Sequence, residues 1–189
     1  GTEITVPIKR ISARERCGIA LDLTGTFAMD STALYARHFM LTTPSSTISL
    51  EAMMGMDTVN APLSVNLGAS VGMDDVNRLV PATLAPMVAK LPQFQPLRLV
   101  ADISGNMDDL AINTLTADIP RHIALSAEGR IANYTDINKA EGNLDITGSV
   151  SDGEFIKTAL LDAKMKRAVN IPPLRIEGSA GLARGIIDG

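Results

Sequence analysis

The residues best suited to chemistry lie in "GASVG", Gly68 to Gly72, which matches the G-x-S-x-G pattern of a nucleophile elbow. Ser70 would be the nucleophile, with His122 downstream and several Asp residues between them. A helical pattern follows the motif, as an elbow requires. The stretch before Ser70, however, alternates apolar and polar residues instead of forming the continuous apolar run of a central parallel strand. No βαβα succession surrounds it, and no HGGG-type segment supplies an oxyanion hole. Gly72 therefore reads as a strand end, with Asp74 and Asp75 capping a helix start. An esterase using Ser70 is the last of three functional readings.

The other reactive residues are more isolated. "MDDV" at Met73 and "MDDL" at Met107 lack the D-x-D-x-D-G spacing of a calcium loop, and read as turns and caps. His38 and His122 have no H-x-H or H-E-x-x-H partner, so no zinc set forms. Cys17, beside Gly18, reads as a thiol at a strand start, and a reactive thiol of lowered pKa beside Arg14 and Arg16 is the lesser reading. As the one cysteine it allows neither an intrachain disulfide nor a thiolate cage. Asn133-Tyr134-Thr135 is a sequon in form. No catalytic constellation, metal or cofactor is expected.

Composition narrows the partners. The 189 residues suffice for one sizeable core or two small ones. Trp is absent and aromatics make up 3%, so the apolar mass is Ile, Leu, Val, Ala and Met. Such a surface suits aliphatic partners and stacks poorly on sugars or bases. A net charge of −4 with scattered Lys and Arg excludes the basic stripe of a nucleic-acid binder. No apolar run is long enough to span a membrane as a helix. Gly1 reads as a tag scar and "GIIDG" stops within a strand pattern, so residues 1–189 are expected to be one β-rich segment of a longer repeat protein.

The positioning elements are mostly strands. Ile19, Leu21, Leu23, Gly25, Phe27 and Met29 alternate with Ala20, Asp22, Thr24, Thr26 and Ala28. The same alternation places Ile48 and Leu50 on one face, then Leu63, Val65 and Leu67, then Leu97, Leu99 and Ile103. It continues with Ile123 and Leu125, with Leu144 and Ile146, and from Leu174 to Leu182. Val100 spoils one polar face. Leu34 to Leu41 and Leu110 to Ile119 break alternation partway, as a bulge would. Residues 73–91 and 151–168 switch to spacings of three and four and read as helical inserts, the second opened by a Ser151/Glu154 capping box. Two segments share a layout in which a strand is expected to end at Gly25 or Gly105, followed by an Asp-bearing turn, an irregular strand, Pro44 or Pro120, and an alternating strand. "IEGSAGLARGIID" begins a third copy. The expected fold is mainly β (α+β): a curved, largely antiparallel sheet with two short helical inserts.

The succession "LDLTGTFAMDSTALYARHFMLTTPSSTISLEA", "PLSVNLGASVGMDDVNRLVP" and "PLRLVADISGNMDDLAINTLTADIPRHIALSAEGRIAN" resembles the AsmA-like/TamB superfamily of bacterial envelope proteins, in particular its large Bacteroidetes translocation-and-assembly members. The resemblance implies a taco-like sheet with a hydrophobic groove and a periplasmic location. It also implies an inner-membrane tether elsewhere in the chain, and a part in phospholipid traffic or outer-membrane protein assembly. The groove would be lined by Ile19, Leu21, Leu23, Phe27, Ile48, Leu50, Leu63, Val65, Leu67, Leu97, Leu99, Ile103, Ile123, Leu125, Leu144 and Ile146. Partners would be phospholipid or another acyl lipid, neighbouring repeats and outer-membrane assembly proteins. Asp30-Ser31-Thr32 and Asp57-Thr58-Val59 resemble the O-glycosylation motif of such envelope proteins. The rival reading is a structural module that pairs through open sheet edges. An open groove and a helix-filled core share one periodicity, so the pattern leaves that choice open.

Overall fold

The computed structural model describes residues 2–14, 18–56, 60–79, 96–136, 138–160, 170–183 and 186–188. Strands β1 (Ile4–Arg14), β2 (Ala20–Met29), β3 (Ala33–Thr42), β4 (Thr47–Gly55) and β5 (Pro62–Val71) lead into helix α1 (Met73–Leu79). Strands β6 (Leu97–Asn106), β7 (Asp109–Ile119), β8 (Ile123–Ala132) and β9 (Glu141–Val150) lead into helix α2 (Gly153–Leu160), and β10 (Leu174–Ala183) and β11 (Ile186–Asp188) follow. Each strand pairs antiparallel with its sequence neighbour, giving one eleven-stranded sheet in the order β1 to β11. The sheet is curved and unclosed, and the fold is mainly β as the alternation predicts.

Register places the alternating residues of every strand on one common face, because residues directly opposite each other share a side. A first row runs Ile4, Met29, Leu34, Met54, Leu63, Gly105, Leu110, Ile131, Gly142, Leu182. A second runs Val6, Phe27, Ala36, Ala52, Val65, Ile103, Ile112, Gly129, Leu144. A third runs Phe39, Leu50, Leu67, Ala101, Leu115, Ala127, Ile146, Gly178. A fourth runs Ile11, Leu23, Leu41, Ile48, Ala69, Leu99, Ala117, Leu125, Gly148, Ile176.

The expected irregular strands are bulged. Register slips between Ala36 and Phe39 on β3 and between Ile112 and Leu115 on β7, and also between Ile8 and Ile11 on β1. One extra residue moves the apolar positions from even to odd numbers, so the apolar face survives the slip. On β3 the bulge residue His38 takes φ +54°, which swings Phe39 back to the apolar side.

The repeat is larger than the sequence layout suggests. Leu23, Phe27, Leu34, Ala36 and Phe39 hold the row positions that Leu99, Ile103, Leu110, Ile112 and Leu115 hold in the second copy. Each copy closes with a helix after its fourth strand. The glycines do not end their strands as expected: β2 continues past Gly25 to Met29, and β6 past Gly105 to Asn106. The turn residue matching Asp30 is Asn106. Asp30 Oδ1 accepts from the Thr32 and Ala33 N–H groups at 2.7 and 2.9 Å, and Asn106 Oδ1 from those of Asp108 and Asp109 at 2.8 and 3.0 Å.

The helix starts differ from expectation too. Asp152, not Ser151, caps α2: its Oδ1 accepts from the Glu154 and Phe155 N–H groups, while the Ser151 N–H donates to the His122 carbonyl. At α1 the Gly72 carbonyl takes the first helical N–H groups, and the buried Asp75 turns its carboxylate to the Thr43 and Ser46 hydroxyls of the β3–β4 turn. Both helices are thus tied to the neighbouring hairpin turn. The remainder of each expected insert, 80–91 and 161–168, lies outside the described residues.

Candidate functional site

The apolar face is the candidate site. Among the described residues, its rows carry no polar side chain. A packed domain would bury such a face, yet here Phe27 is 52% exposed, Leu115 42%, Leu125 43% and Ile176 49%. The larger buried apolar side chains gather instead at hairpin ends and helix starts, as Ile19, Met73, Val150 and Phe155 do, while within the rows the small Ala101 is buried. An exposed apolar surface running across a whole sheet is uncommon in a soluble monomer and marks a place where something binds.

Fifteen of the sixteen expected lining residues fall on this face by register, from Leu21 opposite Ala13 through Ile123 opposite Val150. Ile19 is the exception. It precedes β2 and is 1% exposed, so it belongs to the packed hairpin end and lines nothing accessible. Sequence reasoning missed Val6, Leu34 and Ala36, which share the face with Met29 and Met54. The signal was present: reading β3 through its bulge, with a change of parity after Ala36, recovers Leu34, Ala36, Phe39 and Leu41 together.

A cavity of about 460 Å³ opens on the face over β1 to β5, lined by Ile4, Val6, Phe27, Leu34, Ala36, Ala52, Met54 and Leu63 among others. Phe27 and Phe39 meet edge-on beside it, ring centroids 4.6 Å apart.

Among the described residues, charge in the sheet lies on the other face and in the bulges and turns. Arg10 holds Asp22 through two hydrogen bonds of 3.0 and 2.8 Å, and Arg37 reaches across β2 to hold Glu3 at 2.9 and 3.1 Å. Arg130 pairs with Asp109 in the same manner. These guanidinium contacts hold the carboxyls of Glu3, Asp22 and Asp109 below their ordinary values. Asp30 is lowered to about 2 by the Thr32 hydroxyl, the Thr32 and Ala33 N–H groups and the Tyr35 hydroxyl. Burial raises the Asp75 carboxyl, but hydrogen bonds from the Ser46 and Thr43 hydroxyls with the Arg78 charge outweigh it, so the net shift is downward.

The hydrolase residues are not brought together. Ser70 sits near the end of β5 but still within the ladder, opposite Thr47 and Arg98, on the polar face, without positive φ. β6 and β7 separate it from the turn that carries His122. His122 stacks on Phe155 at 4.6 Å, and its Nδ1 lies 2.9 Å from Asp152 Oδ2, a contact that fastens α2 to the β7–β8 turn. His38 Nδ1 lies 3.0 Å from a Glu51 carboxylate oxygen. Among the described residues no cluster of His, Cys, Asp or Glu could hold a metal ion. Thr32 of the Asp30-Ser31-Thr32 motif donates its hydroxyl to Asp30 Oδ1 at 2.7 Å. Cys17 and Asp57-Thr58-Val59 lie outside the described residues. Among the described residues no helix is long and apolar enough to cross a membrane.

The chain matches no known protein-family model, no curated protein and no solved structure.

Proposed function

We propose that this chain is a non-catalytic binding segment whose apolar sheet face holds the acyl chains of a lipid. The observation that carries the reading is the set of register-aligned rows, free of polar side chains and left accessible across the sheet. Acyl chains need a dry aliphatic surface and no directional contacts. Each buried methylene contributes about 0.8 kcal/mol, so ten of them give about 8 kcal/mol before the cost of association is subtracted. The resemblance to AsmA/TamB-like envelope proteins points the same way. It suggests a periplasmic setting, a tether to the inner membrane through another part of the chain, and a role in lipid transfer or outer-membrane biogenesis.

The experiment is Leu23→Asp, read by denaturant midpoint and by mass spectrometry of extracted lipid. Leu23 is half-buried, so its carboxylate keeps water and the change should cost only about 1–2 kcal/mol. A folded variant that has lost lipid supports the reading. A parent that carries no lipid after exposure to phospholipid vesicles overturns it.

The structural module is the second reading, because an unclosed sheet leaves backbone groups unpaired along β1. There the partners would be neighbouring repeats or outer-membrane assembly proteins.

A further inference from the structure

We infer that the first repeat contains one acyl-chain seat, a trough crossing β1 to β5 over Ala36 and Ala52, and that the second repeat lacks it. The inference rests on the lipid reading above and narrows it to a place and a ligand class.

Ala36 and Ala52 are opposite each other in the second row, and both line the 460 Å³ cavity. Their neighbours are bulky: Leu34 and Met54 in the first row, Phe39 and Leu50 in the third. Small residues between two large rows make a trough running across the strands. Four inter-strand spacings of about 4.8 Å give it a length of roughly 19 Å, the reach of a long hydrocarbon chain. Phe27, braced edge-on against Phe39, lines the trough over β2.

The lining chooses the occupant. Ligand sites usually place a few polar groups to fix orientation. This one offers carbon and thioether surface throughout its side chains, apart from the Tyr35 hydroxyl, which is already bonded to Asp30. A sugar, a nucleotide or a peptide would leave its polar groups unpaired here, and a hydrocarbon chain would not. Flexible Met29 and Met54 can adjust to chains of different shape.

The second repeat supplies an internal comparison. Ile112 occupies the row position of Ala36, opposite Gly129 in place of Ala52, and Ile103 replaces Phe27, so the pair of alanines that floors the trough is not repeated. The apolar cavity in that half, over Ile131, Leu144 and Leu182, is about 170 Å³, and the larger one of about 460 Å³ over β7 to β10 is lined largely by polar residues such as Thr116, Asp118, Thr147 and Glu177, which do not suit a hydrocarbon chain.

The test is Ala36→Ile, which installs the residue that the second repeat carries at the same position. Binding is read by electron paramagnetic resonance with stearic acid bearing a nitroxide near its methyl end, and with a phospholipid labelled on one chain. Ala36→Ile should weaken probe binding by about tenfold or more, with the circular dichroism and melting curve of the parent. Ala52→Leu should do the same, and Ile112→Ala should not. Equal loss with both probes assigns the seat to the chain alone, and loss with only one names the source of that chain. If Ala36→Ile and Ala52→Leu bind like the parent while Leu125→Asp does not, the lipid face stands and the seat falls. If the parent binds neither probe, the lipid reading falls with it.

Discussion

Phe39 packs its ring onto Gly25: a Cβ built on Gly25 would lie 2.8 Å from the ring. Gly25 also has φ +156°, where side chains are rarely found. The β3 bulge delivers Phe39 to this spot, so the glycine on β2 and the bulge on β3 form one device. Aromatic cover of a strand glycine restores packing that the missing side chain would have given.

Gly25→Ala should therefore destabilise the protein by about 1–3 kcal/mol, measured as a shift of the urea midpoint. The double variant with Phe39→Ala removes the collision but not the backbone strain. It should show a favourable coupling in a double-mutant cycle. Additive losses would mean that the two residues do not act together.

Acid should unfold the protein through its paired carboxylates. Glu3, Asp22, Asp30, Asp75, Asp109 and Asp152 all have carboxyls lowered in the folded state. At Asp152 burial acts upward, and the His122 contact and helix N–H groups outweigh it. The unfolded chain then binds more protons at acid pH, so stability falls as pH drops. For Asp30 the window runs from 3.8 down to about 2. Asp30→Asn should flatten the lowest part of a stability curve taken from pH 5 to pH 2. A curve as steep as the parent's would remove Asp30 from the account.

The start of α2 gives a local test. Ser151 and Glu154 have capping-box spacing, but Asp152 receives the helix N–H groups and also meets His122. Ser151→Ala should leave hydrogen exchange of the Glu154 and Phe155 amides as it is. Asp152→Ala should speed it and loosen the His122 contact. The reverse pattern would restore the capping box.

Much of the fold was legible because strand alternation is a local signal. Leu21, Leu23 and Phe27 declare a shared face by spacing alone, and the parity breaks in β3 and β7 are visible as interrupted alternation. Two things were not local. The cap passed to Asp152 because the Ser151 N–H is committed to the His122 carbonyl, a residue far away in sequence. Periodicity also reports which side a residue faces, not what stands opposite. Leu125 at 43% exposure and a fully covered Leu at the same spacing would give the same pattern. Ile19 shows the converse: it fits the alternation of β2 and is buried because it lies beyond the strand's end.

The sheet edge separates the two functional readings. Sequence alone suggests weak association through Ile4 to Ile8 and Leu174 to Ile187. β1 is an edge strand, but it carries Pro7, which lacks an N–H, and a bulge between Ile8 and Ile11 that holds Lys9 and Arg10. Proline, charge and bulges are the means by which edge strands resist pairing with other chains. Pro7→Val restores a donor and a β-branched side chain at a position already in register with Thr26. The variant should associate at concentrations where the parent stays monomeric in sedimentation velocity runs. Lipid binding should be unaffected, because Pro7 lies on the polar side of β1, between Val6 and Ile8. If the parent already associates through β1, shown by protection of its amides at high concentration, the edge is open as it stands and the structural module gains over the lipid face.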